Sequence, residues 1–206
     1  MPELVDIIRV VVGTEYLTAT VHIANDAPLM TSEDLEGTTR VYNLMPTIIN
    51  HACMGDAGST FRDCMGDTEL AHLLEHMTVE LLARTNMVDE VIAGRTWREL
   101  AYDRTYSIQL PCVDDVLVTG ALSSAVWILS WAFSGGQGAV PDVDAISHGL
   151  VDLVRSLPEP GTEAPEPAYI DEDERRDGTY EDGPYDEPYD NEEDLEHGPR
   201  MSRKII

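Results

Sequence analysis

The run Thr68-Glu-Leu-Ala-His72-Leu-Leu-Glu75-His76-Met-Thr-Val-Glu80 carries the residue types of a metal-assisted hydrolysis. It contains H-x-x-E-H, the inverted form of a zinc-hydrolase signature, with a further carboxylate four residues on. On a helix, His72, His76 and Glu80 drift by only about 40° per step, so they share one face. Two neutral imidazoles and a carboxylate make a three-ligand set for Zn2+ that leaves a fourth position for water. Glu75 lies about 60° to the other side of His72 and is available as general base. The axial reach from His72 to Glu80 is about 12 Å, so Glu80 must lean towards the helix N-terminus, as helical side chains do. Other donors stay open: His22, His51, His148, Cys53 and Cys64 could each complete a site with His72 and His76. A helix face bearing His and Glu is also often just a solvated surface, and spacing alone does not choose between the two.

The helix that must carry these residues has its own signals. Thr68 or Asp67 stands where a cap belongs, and no Gly or Pro follows until Gly94. Leu70, Leu73, Leu74, Met77 and Leu81 recur at helical spacing and form an apolar stripe. Around this helix the chain predicts strands over 5–12 and 16–23, joined as a hairpin by a short Gly-Thr-Glu turn, and a third strand over 104–111. Further helices are expected near 40–53, 114–134 and 142–156, with 68–86 as the site helix and 24–39 as loop. The resulting class is α+β, a small antiparallel sheet with helices packed on one face. Ala125-Val-Trp-Ile-Leu-Ser-Trp-Ala-Phe133, the most hydrophobic stretch, is too short to span a bilayer and reads as buried core.

A wider pattern surrounds the site helix. Pro46 is followed five residues on by His51-Ala-Cys53, then by Gly55, Gly58 and Phe61; the helix runs from His72 to Glu80-Leu81, and Gly94-Arg95-Thr96 follows. This stretch, from about Tyr42 to Thr96, resembles the N-terminal domain of cyanophycin synthetases, with weaker similarity over about residues 3–135. The resemblance implies a zincin-like site that cleaves cyanophycin, a β-linked Asp–Arg polymer, to produce primers. In that reading His72, His76 and Glu80 hold the metal and Glu75 is the base. His51 and Arg95 are candidate substrate contacts, Arg95 by gripping a carboxylate bidentately. His51 could equally hydrogen-bond the end of its helix, and Cys53 reads as a small core hydrophobe. Ala71 stands where the family has Gly, and Leu82 where Gln is usual. Family members continue into ATP-grasp and Mur-ligase-like domains; no G-x-x-x-x-G-K-[ST] phosphate loop occurs in this chain, so ATP-dependent ligation is not expected of it. A non-catalytic accessory module that binds a polymer or a ligase partner is the alternative.

Charge bounds the partners. The chain has 39 acidic and 13 basic residues, a net of −26. Such a surface disfavours nucleic acid and anionic membranes and suits a cationic or Arg-containing peptide, although solubility alone would explain it. Three domains of organisation are expected: a core over 1–135, a connection with a peripheral helix over 136–157, and an acidic tail over 158–206. The tail holds 17 acidic and 5 basic residues with few aliphatics, a composition that predicts disorder and a protein partner or simple solvation as its role. Three cysteines without C-x-x-C spacing, and no basic-then-apolar leader, predict a reducing, cytoplasmic setting.

Overall fold

Strand β1 (Val5–Val12) and strand β2 (Tyr16–Ile23) fold back on each other because Gly13 permits the tight turn, its N–H donating to the Tyr16 carbonyl at 2.9 Å. The computed structural model describes residues 4–53, 58–88 and 93–158. Two more strands, β3 (Arg95–Arg98) and β4 (Thr105–Pro111), complete a sheet of order β1-β2-β4-β3, antiparallel throughout. Alternation along β2 and β4 sets the two faces. Leu17, Ala19 and Val21 pair with Leu110, Ile108 and Tyr106, and all six are buried. Thr18, Thr20 and His22 pair with Gln109, Ser107 and Thr105 on the opposite face.

The helices cover the apolar face, and the α+β reading holds. They are α1 (Leu35–Leu44), α2 (Leu70–Arg84), α3 (Asp115–Phe133) and α4 (Val143–Ser156). Asp34, Asp114 and Asp142 cap α1, α3 and α4, each accepting from a backbone N–H three residues on. Helix α3 is long and apolar enough by composition to cross a bilayer. In this fold it packs on α1, α2 and α4, burying Leu117, Leu122, Ile128 and Leu129 among others.

Three expectations need correction. The helix placed near 40–53 begins at Leu35, inside the stretch read as loop, and ends before Pro46, where a 3₁₀ turn (Pro46–Asn50) takes over. Asp34 starts it, but the weak helix formers Gly37, Thr38 and Thr39 hide its first turn. Strand β3 has only four residues and follows directly on Gly94, too short for alternation to register. Thirdly, α2 is not capped by Thr68 or Asp67: Glu69 occupies the N-cap without a side-chain bond. The segments 54–57 and 89–92, and the acidic tail from residue 159 on, lie outside the described residues.

Helix α2 is the centre of the fold. It contacts α3, α4, β2, β3 and β4, and every residue from Leu70 to Leu82 except His72 is buried. The solvated-surface reading of its polar face therefore fails. Glu75, His76 and Glu80 are 4%, 3% and 5% exposed. Buried ionisable groups are costly unless paired, so each must have its partners.

Candidate functional site

Two imidazoles meet first. One helical turn brings the Nε2 atoms of His72 and His76 to 3.2 Å from each other. Phe61 fixes both rings, stacked on His76 with centroids 3.9 Å apart and edge-on to His72 at 5.4 Å. Thr68, freed from capping, hydrogen-bonds His72 Nδ1 through its hydroxyl at 2.8 Å. Its own backbone N–H is held by the Thr31 hydroxyl, so this contact is anchored to the turn before α1. Burial pushes the His72 pKa down, against the pull of Glu69. Burial, with His72 and His51 alongside, pushes that of His76 down to about 3. Both rings are thus neutral, as metal binding requires.

Glu75 is braced from the sheet. Thr96 shares a face with Ile108 through its register on β4, and donates its hydroxyl to Glu75 Oε2 at 2.6 Å. Gly94 supplies the space: a Cβ there would stand 2.6 Å from Glu75 Cγ and 2.8 Å from Oε1. Burial raises the Glu75 pKa, partly countered by the Thr96 bond and by His51. Donor atoms of His72, Glu75 and His76 all lie within 4.8 Å of one another. The Gly94-Arg95-Thr96 element thus serves the carboxylate in the middle of α2.

A second group of donors overlaps the first at His72. Cys53 Sγ lies 3.5 Å from His72 Nε2, and Cys64 Sγ lies 3.8 Å from Cys53 Sγ. Burial, Cys53 and Asp63 push the Cys64 thiol up to about 12. A tetrahedral zinc with nitrogens at about 2.0–2.1 Å and sulfurs at about 2.3 Å separates its donors by about 3.3 Å for N to N, 3.5 Å for S to N and 3.8 Å for S to S. These separations are of that size, but they belong to two groups that share His72, His72–Glu75–His76 and Cys53–Cys64–His72, each with donors compatible with Zn2+. Sulfur among the donors argues against a hard ion such as magnesium.

Glu80 does not join either group. Thr47 and Arg84 both donate to its Oε1, Arg84 Nε at 2.8 Å, while Oε2 faces His51 Nε2 at 2.8 Å. Burial pushes its pKa up, but the bonds from His51, Thr47 and Arg84 outweigh it and hold the carboxyl at about 2. Leaning back from its helical position takes Glu80 to His51 rather than to the paired Nε2 atoms. His51 sits at the end of the 3₁₀ turn, with its Nδ1 3.3 Å from His76 Nδ1. Cys53, read from sequence as core, is buried yet turns its sulfur to His72. Of the other imidazoles, His22 lies on the outer face of the sheet and His148 is exposed on α4, bonded to the Asp144 carbonyl.

The cluster opens on a cleft of about 600 Å3 lined by Cys53, His72, Glu75 and His76, with Glu69, Arg95, Trp97, Arg98 and Tyr106 also in its wall. Arg95 is exposed at the start of β3, its guanidinium 6.0 Å from the Trp97 ring centre. It makes no ion pair among the described residues, whereas Arg98 pairs with Asp103 at 3.0 Å.

Sequence reasoning missed the tasks of Thr96, Gly94 and Thr68: it placed the first two only in the matched element and the third only as a cap. Cys64 it kept open as a donor.

The family model of the cyanophycin synthase-like N-terminal domain matches residues 19–130. That span runs from β2 into α3 and contains every residue of the cluster. No curated protein matches the chain.

Proposed function

The chain belongs to the cyanophycin synthase-like N-terminal domain family, and on that premise we propose that it is a zinc-dependent hydrolase of amide bonds. The observation that carries this reading is a buried carboxylate, Glu75, held by Thr96 and Gly94 beside two imidazole nitrogens 3.2 Å apart. His72 and His76 would hold the metal, with Cys53 Sγ, 3.5 Å from His72 Nε2, available on the His72 side. Zn2+, when bound, supplies a Lewis acid for the scissile carbonyl and brings the pKa of water towards about 7. Thr68 and Phe61 keep the two rings in place. Glu75 accepts a proton from the attacking water as its oxygen bonds to the carbonyl carbon, and returns that proton to the amine as the C–N bond breaks. A carboxyl group whose pKa burial has raised is suited to both transfers.

The substrate class we propose is a peptide that carries both guanidinium and carboxylate, as a β-Asp–Arg polymer does. Glu69 and Arg95, which makes no ion pair among the described residues, both line the cleft and support it. A specific observation favours the accessory-module reading: Cys64 beside Cys53 would add another sulfur and close the open position, as in structural zinc sites. The test is zinc content of the purified chain together with release of β-Asp–Arg dipeptide from the polymer. Equimolar zinc, lost in a His72→Ala/His76→Ala variant, with dipeptide release is the expected result. Equimolar zinc with no cleavage of the polymer or of ordinary peptides would transfer the site to the accessory reading.

A further inference from the structure

Glu80, displaced from the donor groups, heads a chain of four residues that ends on the metal-binding nitrogens. Thr47 and Arg84 both donate to its Oε1, so the carboxylate has only acceptor capacity left for His51. The proton between Glu80 Oε2 and His51 Nε2, 2.8 Å apart, therefore belongs to the imidazole. With that proton as its one N–H, His51 keeps a lone pair on Nδ1. That nitrogen lies 3.3 Å from His76 Nδ1, which must then carry the proton of their shared hydrogen bond. With Nδ1 protonated, neutral His76 has its lone pair on Nε2, the atom aimed at His72 Nε2.

We propose that Glu80 is a positioning residue that acts through His51 to fix the tautomer of His76, so that Nε2 is ready to bind metal before any metal arrives. The relay runs from the end of α2 through the 3₁₀ turn and back to the middle of α2. Both imidazoles are held by packing, His76 against Phe61 and His51 against His76 with ring centroids 5.5 Å apart. Arg84, tied also to Asp144 of α4 at 2.6 Å, anchors the far end. Carboxylate–histidine pairs behind a metal ligand commonly raise affinity about 10–100-fold. Here the carboxylate stands one imidazole further back.

The purpose of this relay rests on the zinc reading, but its test does not. The measurement is a long-range 1H–15N correlation spectrum of the metal-free, 15N-labelled chain, which reports which ring nitrogen of each histidine is protonated. The expected spectrum has His76 protonated on Nδ1 and His51 on Nε2. In Glu80→Gln the side-chain amide can donate to His51 Nε2, which reverses both hydrogen bonds and moves the His76 proton to Nε2. Zinc affinity then falls by about 10–100-fold, the loss typical of a broken outer hydrogen bond. A wild-type spectrum with the His76 proton on Nε2 overturns the relay, and needs no variant to fold. An unchanged His76 tautomer in a folded Glu80→Gln chain overturns it as well. The expected tautomers in a chain that takes up no zinc would keep the relay and remove the metal reading instead.

Discussion

The outer face of the sheet carries a hollow of about 840 Å3, lined by Thr18, Thr20, His22, Thr105 and Ser107 with Ile8, Val11 and Tyr102 around them. The cleft over α2 is smaller, about 600 Å3, yet it holds all the convergent chemistry. Size would favour the outer hollow as a first guess. What separates the two is how their polar groups are held. Among the described residues no trio of metal donors converges on the outer face, where His22 is the one imidazole. In the α2 cleft, each of His72, Glu75, His76 and Glu80 is met by a threonine or by another histidine. The fold buries Glu75, His76 and Glu80 of its central helix, with His72 half-buried beside them, and uses other elements to satisfy them. A surface hollow floored by threonine and serine imposes no such demand.

The contrast breaks most sharply at Glu75. Glu75→Gln keeps the shape of the side chain and its Thr96 partner but cannot take a proton. Hydrolysis should fall by about 10²–10⁴-fold with zinc content unchanged; full turnover in this variant would end the general-base role. Gly94→Ala comes next. The new methyl would press on Glu75 Cγ at 2.6 Å, and a base displaced by about 1 Å loses on the order of 10²-fold in rate. Zinc content should again be unchanged, which separates a moved base from a lost metal. Thr96→Val removes one hydrogen bond and should cost up to about tenfold. Because that bond lowers the Glu75 pKa, its loss should also move the acid limb of the pH–rate profile upward. A limb that stays in place would assign it to another group.

Much of this arrangement could be read along the chain, and the gaps have physical causes. The H-x-x-E-H spacing brings His72, Glu75 and His76 together because all three sit within one turn of α2, so local geometry alone decides their meeting. The same periodic argument put Glu80 beside them, whereas its carboxylate bonds Thr47, His51 and Arg84. At that distance along the axis the side chain can go to either of two places, and Thr47, Arg84 and His51, contributed by other turns, decide which. Cys53 stood only among the open donors for a similar reason. A cysteine in a hydrophobic neighbourhood reads as core, and spacing alone does not show that its sulfur lies 3.5 Å from His72 Nε2. The sheet was legible where alternation ran for seven or eight residues and not in β3, where it runs for four. Helix α1 was obscured at its start by Gly37, which lies where a Cβ would sit 2.8 Å from Phe133 Cδ1. Close approach to α3, rather than helix propensity, accounts for that glycine.

Buried charge also predicts an acid-sensitive fold. His76 has its pKa lowered from 6.5 to about 3, so below pH 6.5 the unfolded chain binds a proton that the folded chain refuses. Stability contributed by neutral His76 is complete above pH 6.5, declines as the pH falls from there and levels off below about pH 3. Glu80, lowered from 4.5 to about 2, adds a further loss between those two values. Denaturant midpoints of the metal-free chain should therefore fall on acidification from pH 6.5 downward. In His76→Gln the upper part of that decline should flatten; an equally steep decline would place the titration elsewhere.

The smallest effects test the comparison from its other sides. Cys64→Ser should leave zinc content and hydrolysis close to wild type if Cys53, His72 and His76 are the donors that hold the metal. A cobalt-substituted chain should likewise keep its sulfur-to-metal absorption in Cys64→Ser and lose it in Cys53→Ser. Loss of that band in both would make Cys64 a full ligand, closing the position that a hydrolase needs open. On the outer hollow, His22→Ala removes the one imidazole in a space larger than the site itself. With no converging donors around it, the substitution should change neither zinc content nor peptide hydrolysis. A drop in cleavage with zinc retained would mean that a long peptide reaches round the β3 edge, where Glu99 and Tyr102 already line the outer face. The two hollows would then be parts of one substrate path.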